Sequence, residues 1–89
     1  MKTIKNILNT NGMNTLVFNK SKNAINVIFS DDKMNIFLED GRELSIPLEW
    51  FPSLRNATLN QLNNWRFIGN GEGIHWDDID EDILVENLL

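Results

Sequence analysis

The residue types that could do chemistry are concentrated in one stretch near the end of the chain, residues 69–82. This stretch reads Gly-Asn-Gly-Glu-Gly-Ile-His-Trp-Asp-Asp-Ile-Asp-Glu-Asp and holds three glycines, the only histidine, a tryptophan and six carboxylates. Carboxylates and imidazole are groups that bind cations and transfer protons in proteins. A functional site is therefore sought here first.

A calcium site is the first interpretation to test. Asp78, Asp80 and Asp82 match the opening positions of a calcium loop, which also needs Gly at its sixth position and Glu at its twelfth. Ile83 and Leu89 stand at those two positions. The spacing therefore argues against calcium.

Three further chemical interpretations also lack a required group. A transition-metal site on His75 with Asp77 or Asp80 would have one imidazole and no thiolate, because the chain has no Cys. His75 as a general base would need a nucleophile or a substrate pocket, and no motif indicates either one. Residues 69–73 lack the Lys-Ser/Thr ending of a phosphate loop. We expect no catalytic residue, no metal and no cofactor.

The structural interpretation of the same residues is a rigid loop. His75 would be a partly buried ring whose hydrogen bond holds the loop beside Trp76. Gly69, Gly71 and Gly73 would permit tight turns and positive φ.

Charge is distributed unevenly along the 89 residues, whose formal net charge is −5. The first thirty residues contain four Lys and no acid, whereas residues 67–89 contain seven acids and no Lys or Arg. An acidic face repels phosphates, so direct nucleic-acid binding is not expected. Such a face attracts a basic protein partner, although a solvated acidic surface that aids solubility is the simpler interpretation. The seven acids are Glu72, Asp77, Asp78, Asp80, Glu81, Asp82 and Glu86.

Alternating apolar residues predict three antiparallel strands between residues 24 and 47. Opposed residues of a hairpin share a face, so pairing Phe29 with Met34 also places Val27 against Ile36. The same register places Ile25 against Leu38. We therefore predict that these six side chains line one apolar face.

The apolar pattern of the second hairpin determines the length of its loop. A two-residue loop would put the two apolar sets on opposite faces, a costly mismatch. A three-residue Glu39-Asp40-Gly41 loop sets Ile36 against Leu44, and it requires Gly41 in the left-handed region. We predict the three-residue loop.

The sequence pattern of residues 47–68 predicts short helical turns and a further strand. Two prolines leave room for one helical turn at most in residues 47–54, where Trp50, Phe51 and Leu54 form an apolar cluster expected to cover the open face of the sheet. Thr58 with Gln61 fits a capping box at the start of a short helix, with Leu59 and Leu62 on one side. Trp65–Ile68 reads as a strand with both aromatic residues on one face, and residues 74–76 and 83–85 read as further short extended pieces.

These elements predict one small α+β domain: an antiparallel β-meander with a short helix packed on one face and further short strands near the C-terminus. Residues 1–22 are expected to form an irregular, basic, Asn-rich N-terminal arm, and residues 23–89 the domain. No apolar run is long enough for a signal peptide or a membrane span, so we expect a cytoplasmic protein with no membrane contact.

About two-thirds of the chain carries a recognisable series of motifs. They include Asp40-Gly41-Arg42, Ile46-Pro47-Leu48, Trp50-Phe51-Pro52, Gly73-Ile74-His75-Trp76 and Asp80-Glu81-Asp82-Ile83. This series resembles the bacterial family named domain of unknown function 2442. The resemblance implies a small α+β domain with a non-enzymatic role, often as the antitoxin-like half of a two-gene pair. It carries no established catalytic residues.

The functional hypothesis is a non-enzymatic, antitoxin-like interaction module that binds a basic, toxin-like protein partner through the acidic C-terminal face. Exposed aromatic residues would anchor that partner, and the candidates are Trp50, Phe51 and Trp76. Two alternatives stay open: a small enzyme or metal-binding protein centred on His75, and a homo-oligomer that buries a sheet edge or the aromatic cluster.

Overall fold

A computed structural model describes residues 20–89 as two three-stranded antiparallel sheets joined by short helical turns. This confirms the predicted α+β class, and the C-terminal strands form a separate second sheet. The predicted arm over residues 1–22 falls largely outside the described residues. In chain order the elements are β1 Ala24–Phe29, β2 Lys33–Leu38, β3 Glu43–Pro47, a 3-10 turn Leu48–Trp50, α1 Pro52–Arg55, α2 Leu59–Asn63, β4 Trp65–Ile68, β5 Gly73–Trp76, β6 Glu81–Leu84 and a 3-10 turn Val85–Leu88.

The first sheet has the predicted register over most of its length. Phe29 pairs with Met34 and Val27 with Ile36, and Ile36 pairs with Leu44 on the other side. Val27, Met34 and Ile36 are buried because this face packs into the core. Hydrophobic alternation therefore predicted these three residue pairs correctly.

The β2–β3 connection is the predicted three-residue loop. Leu38 N–H donates to the Arg42 carbonyl at 2.8 Å, which closes the loop, and Gly41 has φ +96°. Arg42 also bonds the Asp40 carboxylate at 2.9 Å, and this contact holds the pKa of Asp40 at about 2.

The predicted pairing of Ile25 with Leu38 is wrong. A β-bulge between Ala24 and Asn26 sets Ala24 opposite Leu38. The extra residue of a bulge shifts the facing of its neighbours, so Ala24 is buried and Ile25 is 59% exposed.

The segment after β3 makes two short turns where at most one was predicted. Phe51 is extended (φ −131°, ψ 93°) between the 3-10 turn and α1, as expected for a residue before proline. Leu48 points into the core, and three residues per turn bring Phe51 next to the same side. Trp50 therefore faces outward and is 63% exposed, whereas Leu54 is fully buried. Trp50 takes no part in covering the sheet.

Helix α2 begins with the predicted capping box. Gln61 N–H donates to Thr58 Oγ1, and Thr58 N–H donates to Gln61 Oε1. Leu62 is buried as expected, but Leu59 is 64% exposed. Helix α2 therefore contributes Leu62 to the core, and Leu59, at its first position, stays at the surface.

The second sheet presents its apolar face to the same core. Trp65 and Phe67 lie on one face as predicted, with ring centroids 4.8 Å apart. Trp76 is opposite Trp65 and is fully buried. Its indole N–H donates to the Leu62 carbonyl at 2.9 Å, and its ring meets Phe29 edge-on at 6.3 Å. Trp76 thus contacts both sheets and α2.

A backbone contact joins the two sheets at Gly71. Ala24 N–H, at the start of β1, donates to the Gly71 carbonyl at 2.7 Å. Gly71 has φ +94°, and a Cβ built on it would lie 2.1 Å from the Ala24 carbonyl oxygen. Only glycine fits this approach, because both the conformation and the space exclude a side chain.

We predict that Gly71→Ala lowers the free energy of unfolding by about 2 kcal/mol or more, since it adds a backbone clash to the left-handed strain of about 1–2 kcal/mol. Gly41→Ala is the matched control: φ is +96°, but nothing lies within 4 Å of the added Cβ. Urea unfolding of both variants measures the difference. Equal losses would show that the inter-sheet approach is unimportant.

Candidate functional site

The acidic stretch forms the last two strands of the second sheet and the turns around them. Gly73–Trp76 is β5 and Glu81–Leu84 is β6, joined by the turn at residues 77–80. Asp80 has φ +51° in this turn, a conformation that Asp tolerates better than most residues. Glu72 precedes β5, and Glu86 lies in the final 3-10 turn.

Cross-strand register places three charged groups in one row on the outer face of this sheet. Arg66 of β4 is opposite His75 of β5, which is opposite Asp82 of β6. Strand alternation points their neighbours Phe67, Ile74 and Ile83 into the core. The row lies on the solvent side.

His75 is held at both ring nitrogens. Nδ1 bonds Asp82 Oδ1, and Nε2 lies 2.6 Å from Asp77 Oδ1. Its side chain is 17% exposed, and Arg66 Nη2 reaches the same Asp77 oxygen at 3.8 Å. Two acceptors flanking one imidazole favour the form in which both nitrogens carry protons. The hydrogen bonds that His75 donates to Asp82 and Asp77 therefore raise the pKa of His75, against the smaller effects of desolvation and Arg66.

This geometry decides what His75 can do chemically. A general base needs a free nitrogen lone pair aimed at a substrate. Here Asp77 and Asp82 take both nitrogens, and together they hold the turn against β6. The arrangement positions acids on a surface and offers no unoccupied base.

Three other acids contact neighbouring segments. Ser53 Oγ of α1 donates to Glu81 Oε1, which brings α1 beside β6. Asn64 Nδ2 donates to Asp78 Oδ2 at 3.1 Å, and Lys22 Nζ pairs with Glu86 at 3.3 Å. These contacts tie the acidic stretch to the rest of the domain.

Most of the predicted acids lie on the surface. Glu72, Asp77, Asp78, Asp80, Asp82 and Glu86 are exposed, and Glu81 is half-buried. Among residues 20–89, no Lys or Arg lies within 4.0 Å of Glu72, Asp78, Asp80 or Glu81.

The three candidate aromatic anchors differ in the exposed fraction of their side chains. Trp50 is 63% exposed, Phe51 is half-buried and Trp76 is fully buried. Trp76 cannot meet a partner, because its ring fills the core between the sheets. In the chain Trp50 lies between Leu48, whose N–H donates to the Asp32 carbonyl at 2.9 Å, and Ser53, whose hydroxyl contacts Glu81.

Arg66, Ser53 and Asn64 belong to this surface, and sequence reasoning missed all three. Arg66 could have been found by pairing residues 65–68 with residues 73–76 around the glycine loop. Ser53 and Asn64 could not, since their contacts depend on how the helical turns pack.

Within residues 20–89, no group of three or more His, Cys, Asp and Glu side chains is arranged to hold a metal ion. Over the same residues, no helix is long and apolar enough to cross a membrane.

We predict that Asp82→Asn lowers the pKa of His75, because it removes the largest interaction that favours the protonated ring. Titration of the imidazole protons by NMR measures this pKa, and Asp78→Asn, whose carboxylate bonds Asn64, is the control.

The raised pKa of His75 also makes the free energy of unfolding depend on pH. A raised pKa contributes stability that is fully present below the ordinary value of about 6.5 and is lost as pH rises through the folded-state pKa. The unfolding free energy of the wild type should therefore fall over that range relative to His75→Gln. A flat difference would contradict the imidazolium assignment.

Comparison with known proteins places the chain in a family. No curated protein and no solved structure matches it. The family model described as "Protein of unknown function (DUF2442)" matches residues 24–89, from the first residue of β1 to the last residue of the chain. This span includes both sheets and the whole acidic stretch. The chain belongs to the DUF2442 family.

Proposed function

We propose that this protein is a non-enzymatic interaction module, antitoxin-like, that binds a basic protein partner through its acidic C-terminal face. The observation that carries the proposal is the surface formed by β6 and its flanking turns. It holds six acids, Glu72 before β5 adds a seventh, and from residue 67 onward the sequence contains no Lys or Arg.

The local charge balance supports this proposal. Lys22, Arg66 and His75 are the basic side chains of residues 20–89 that pair with these acids, and the Lys22 and Arg66 pairs are exposed. Exposed pairs contribute little and are screened by salt, so they leave the face strongly negative. A face of this kind steers a basic partner and suppresses other partners.

Trp50 supplies the apolar component that such an interface needs. Interface hot spots are enriched in Trp. Trp50 is exposed over 63% of its surface, so in the free protein most of its apolar ring faces water and does not pack in the core. The Ser53–Glu81 hydrogen bond keeps its segment beside the acids. Of the three candidate anchors, Trp50 is therefore the one that we retain, since Trp76 is buried.

The alternative of an enzyme centred on His75 is less well supported. Both ring nitrogens are occupied by carboxylates, and among the described residues no nucleophile contacts the ring. Full biological activity of a His75→Ala variant would exclude this alternative.

We predict that Asp78→Lys/Glu86→Lys weakens capture of the partner from a bacterial lysate and reduces the salt dependence of capture. These two acids are chosen because both are exposed and neither holds His75 or Ser53. Glu43→Lys on β3 is the matched control for the single variant Glu86→Lys, since both replace an exposed Glu, and it should leave capture unchanged. Quantitative affinity capture at several salt concentrations measures all three variants. Equal capture by Glu86→Lys and Glu43→Lys, with no further loss in Asp78→Lys/Glu86→Lys, would refute an acidic docking face.

We predict that Trp50→Ala weakens capture by about tenfold or more, the effect expected of an interface hot spot, without changing stability. Ile28→Thr on the outer face of the first sheet is the control, since Ile28 is 50% exposed and far from the acids in sequence. Binding measured on the captured partner, together with urea unfolding, separates the two effects. Unchanged binding by Trp50→Ala would remove it as an anchor.

A further inference from the structure

The two sheets leave four edge strands, and their free backbone groups differ. An unpaired strand edge is a template for an added strand unless something blocks it. In β1, Val27 N–H is already bonded to Asn26 Oδ1 at 2.9 Å, and Ala24 N–H is bonded to Gly71. The bulge in β1 disrupts the edge further. Two N–H groups of this edge are therefore already occupied, and its ladder is irregular.

The edges at β3 and β4 are also poor templates for a basic segment. β3 ends in Pro47, which has no N–H to donate. β4 carries Arg66, whose side chain is 65% exposed and would repel a basic strand. Its neighbours Trp65 and Phe67 are half-buried. Among the described edges, β6 is the one that lies within the acidic stretch and has no proline, bulge or basic side chain.

The hydrogen-bond pattern shows which groups β6 offers. Val85 N–H donates to the Glu72 carbonyl at 3.0 Å, so these two residues form a hydrogen-bonded pair. Bonded and non-bonded pairs alternate along an antiparallel ladder. The N–H and C=O of Asp82 and the N–H of Leu84 therefore point away from β5, whereas the Leu84 carbonyl begins the final 3-10 turn. No other group within residues 20–89 bonds to those three.

The side chains beside these groups define what an added strand would meet. Asp82 is 65% exposed, and His75 engages one of its oxygens. Leu84 is 41% exposed and lies close to Ile68 across Gly73, since a Cβ built on Gly73 would be 3.1 Å from a methyl of each. A carboxylate and an apolar strip thus stand two residues apart on one face.

A second copy of the chain matches this edge less well than a basic strand does. Two antiparallel copies of β6 that bond through Asp82 and Leu84 would set each Asp82 opposite an apolar Leu84, and a register that aligns Asp82 with Asp82 would oppose like charges. A basic strand has the complementary charge.

We propose that β6 binds an extended, basic segment of the protein partner as an added antiparallel strand. The proposal rests on the proposed function and specifies its binding mode. The segment places a Lys or Arg opposite Asp82 and an apolar residue opposite Leu84, two positions away. Backbone bonds to Asp82 and Leu84 hold it in register.

The test compares two substitutions of one residue in the full chain. Leu84 has φ −86° and ψ 130°, which proline can adopt nearly unstrained. Leu84→Pro removes the outward N–H without breaking a ladder bond, whereas Leu84→Ala removes the side chain and keeps that N–H. The probe is the peptide acetyl-Thr-Val-Thr-Lys-Thr-Lys-Thr-amide, whose Val and first Lys would face Leu84 and Asp82.

Leu84→Pro should bind the peptide about tenfold more weakly than Leu84→Ala, the effect of a backbone hydrogen bond lost in an interface. N-methylation of the first Lys of the peptide should weaken its binding to the wild type similarly, although its charge is unchanged. Binding of the unmodified peptide should also slow hydrogen exchange at the Asp82 amide. This last measurement on the wild type holds even if Leu84→Pro fails to fold.

Two results would overturn the proposal. Equal binding of the methylated and unmodified peptides, with the Asp82 amide unprotected, would leave a charge-driven face and remove strand addition. Protection of that amide in the chain alone, lost on deletion of residues 1–19, would make the chain's own N-terminal segment the occupant. Failure of the acidic face itself would appear separately, as partner capture insensitive to Asp78→Lys/Glu86→Lys.

Discussion

The close approach of Gly71 to Ala24 is the constraint on which the rest of the domain depends. Each three-stranded sheet has one apolar face, and neither could be stable alone with that face in water. The 2.7 Å bond between Ala24 and Gly71 fixes how the two faces meet. The bulge in β1 serves the same contact, because it turns Ala24 inward and leaves Ile25 outside. Trp76 then fills the space between the sheets and α2.

This arrangement decides which side of the second sheet is available for function. Ile74, Ile83 and Trp76 lie in the core. Because side chains alternate between the two faces of a sheet, Arg66, His75 and Asp82 lie on the solvent side. His75 pairs with Asp77 of the following turn and with Asp82 of β6, so the imidazole holds the turn and the neighbouring strand together. Of the remaining carboxylates, Glu81 contacts Ser53 in a part-buried bond, and Asp78 and Glu86 have exposed partners. These contacts hold the acids in place on the outer side of the second sheet.

Sequence patterns predicted the parts of the fold that short-range rules determine. Apolar alternation and the rule that opposed residues share a face were sufficient to predict the β2–β3 register and the left-handed conformation of Gly41. Both depend on neighbours within one hairpin. The capping box of α2 is equally local. Ile25 and Trp50 were misplaced because their facing depends on contacts from distant residues: Gly71 for the bulge, and core packing for the turn. The Ser53–Glu81 and Asn64–Asp78 contacts of the candidate site are likewise invisible to periodicity.

The charge on β6 has a consequence for the state of the free protein. Edge strands risk pairing with any available strand, and a carboxylate on the edge is one way that natural proteins prevent it. Asp82 repels a second copy of a chain that already carries a net charge of −5. In the proposed strand addition, the same carboxylate faces a Lys or Arg of the added strand. One side chain would thus disfavour registers that align Asp82 of two copies and favour the proposed basic partner.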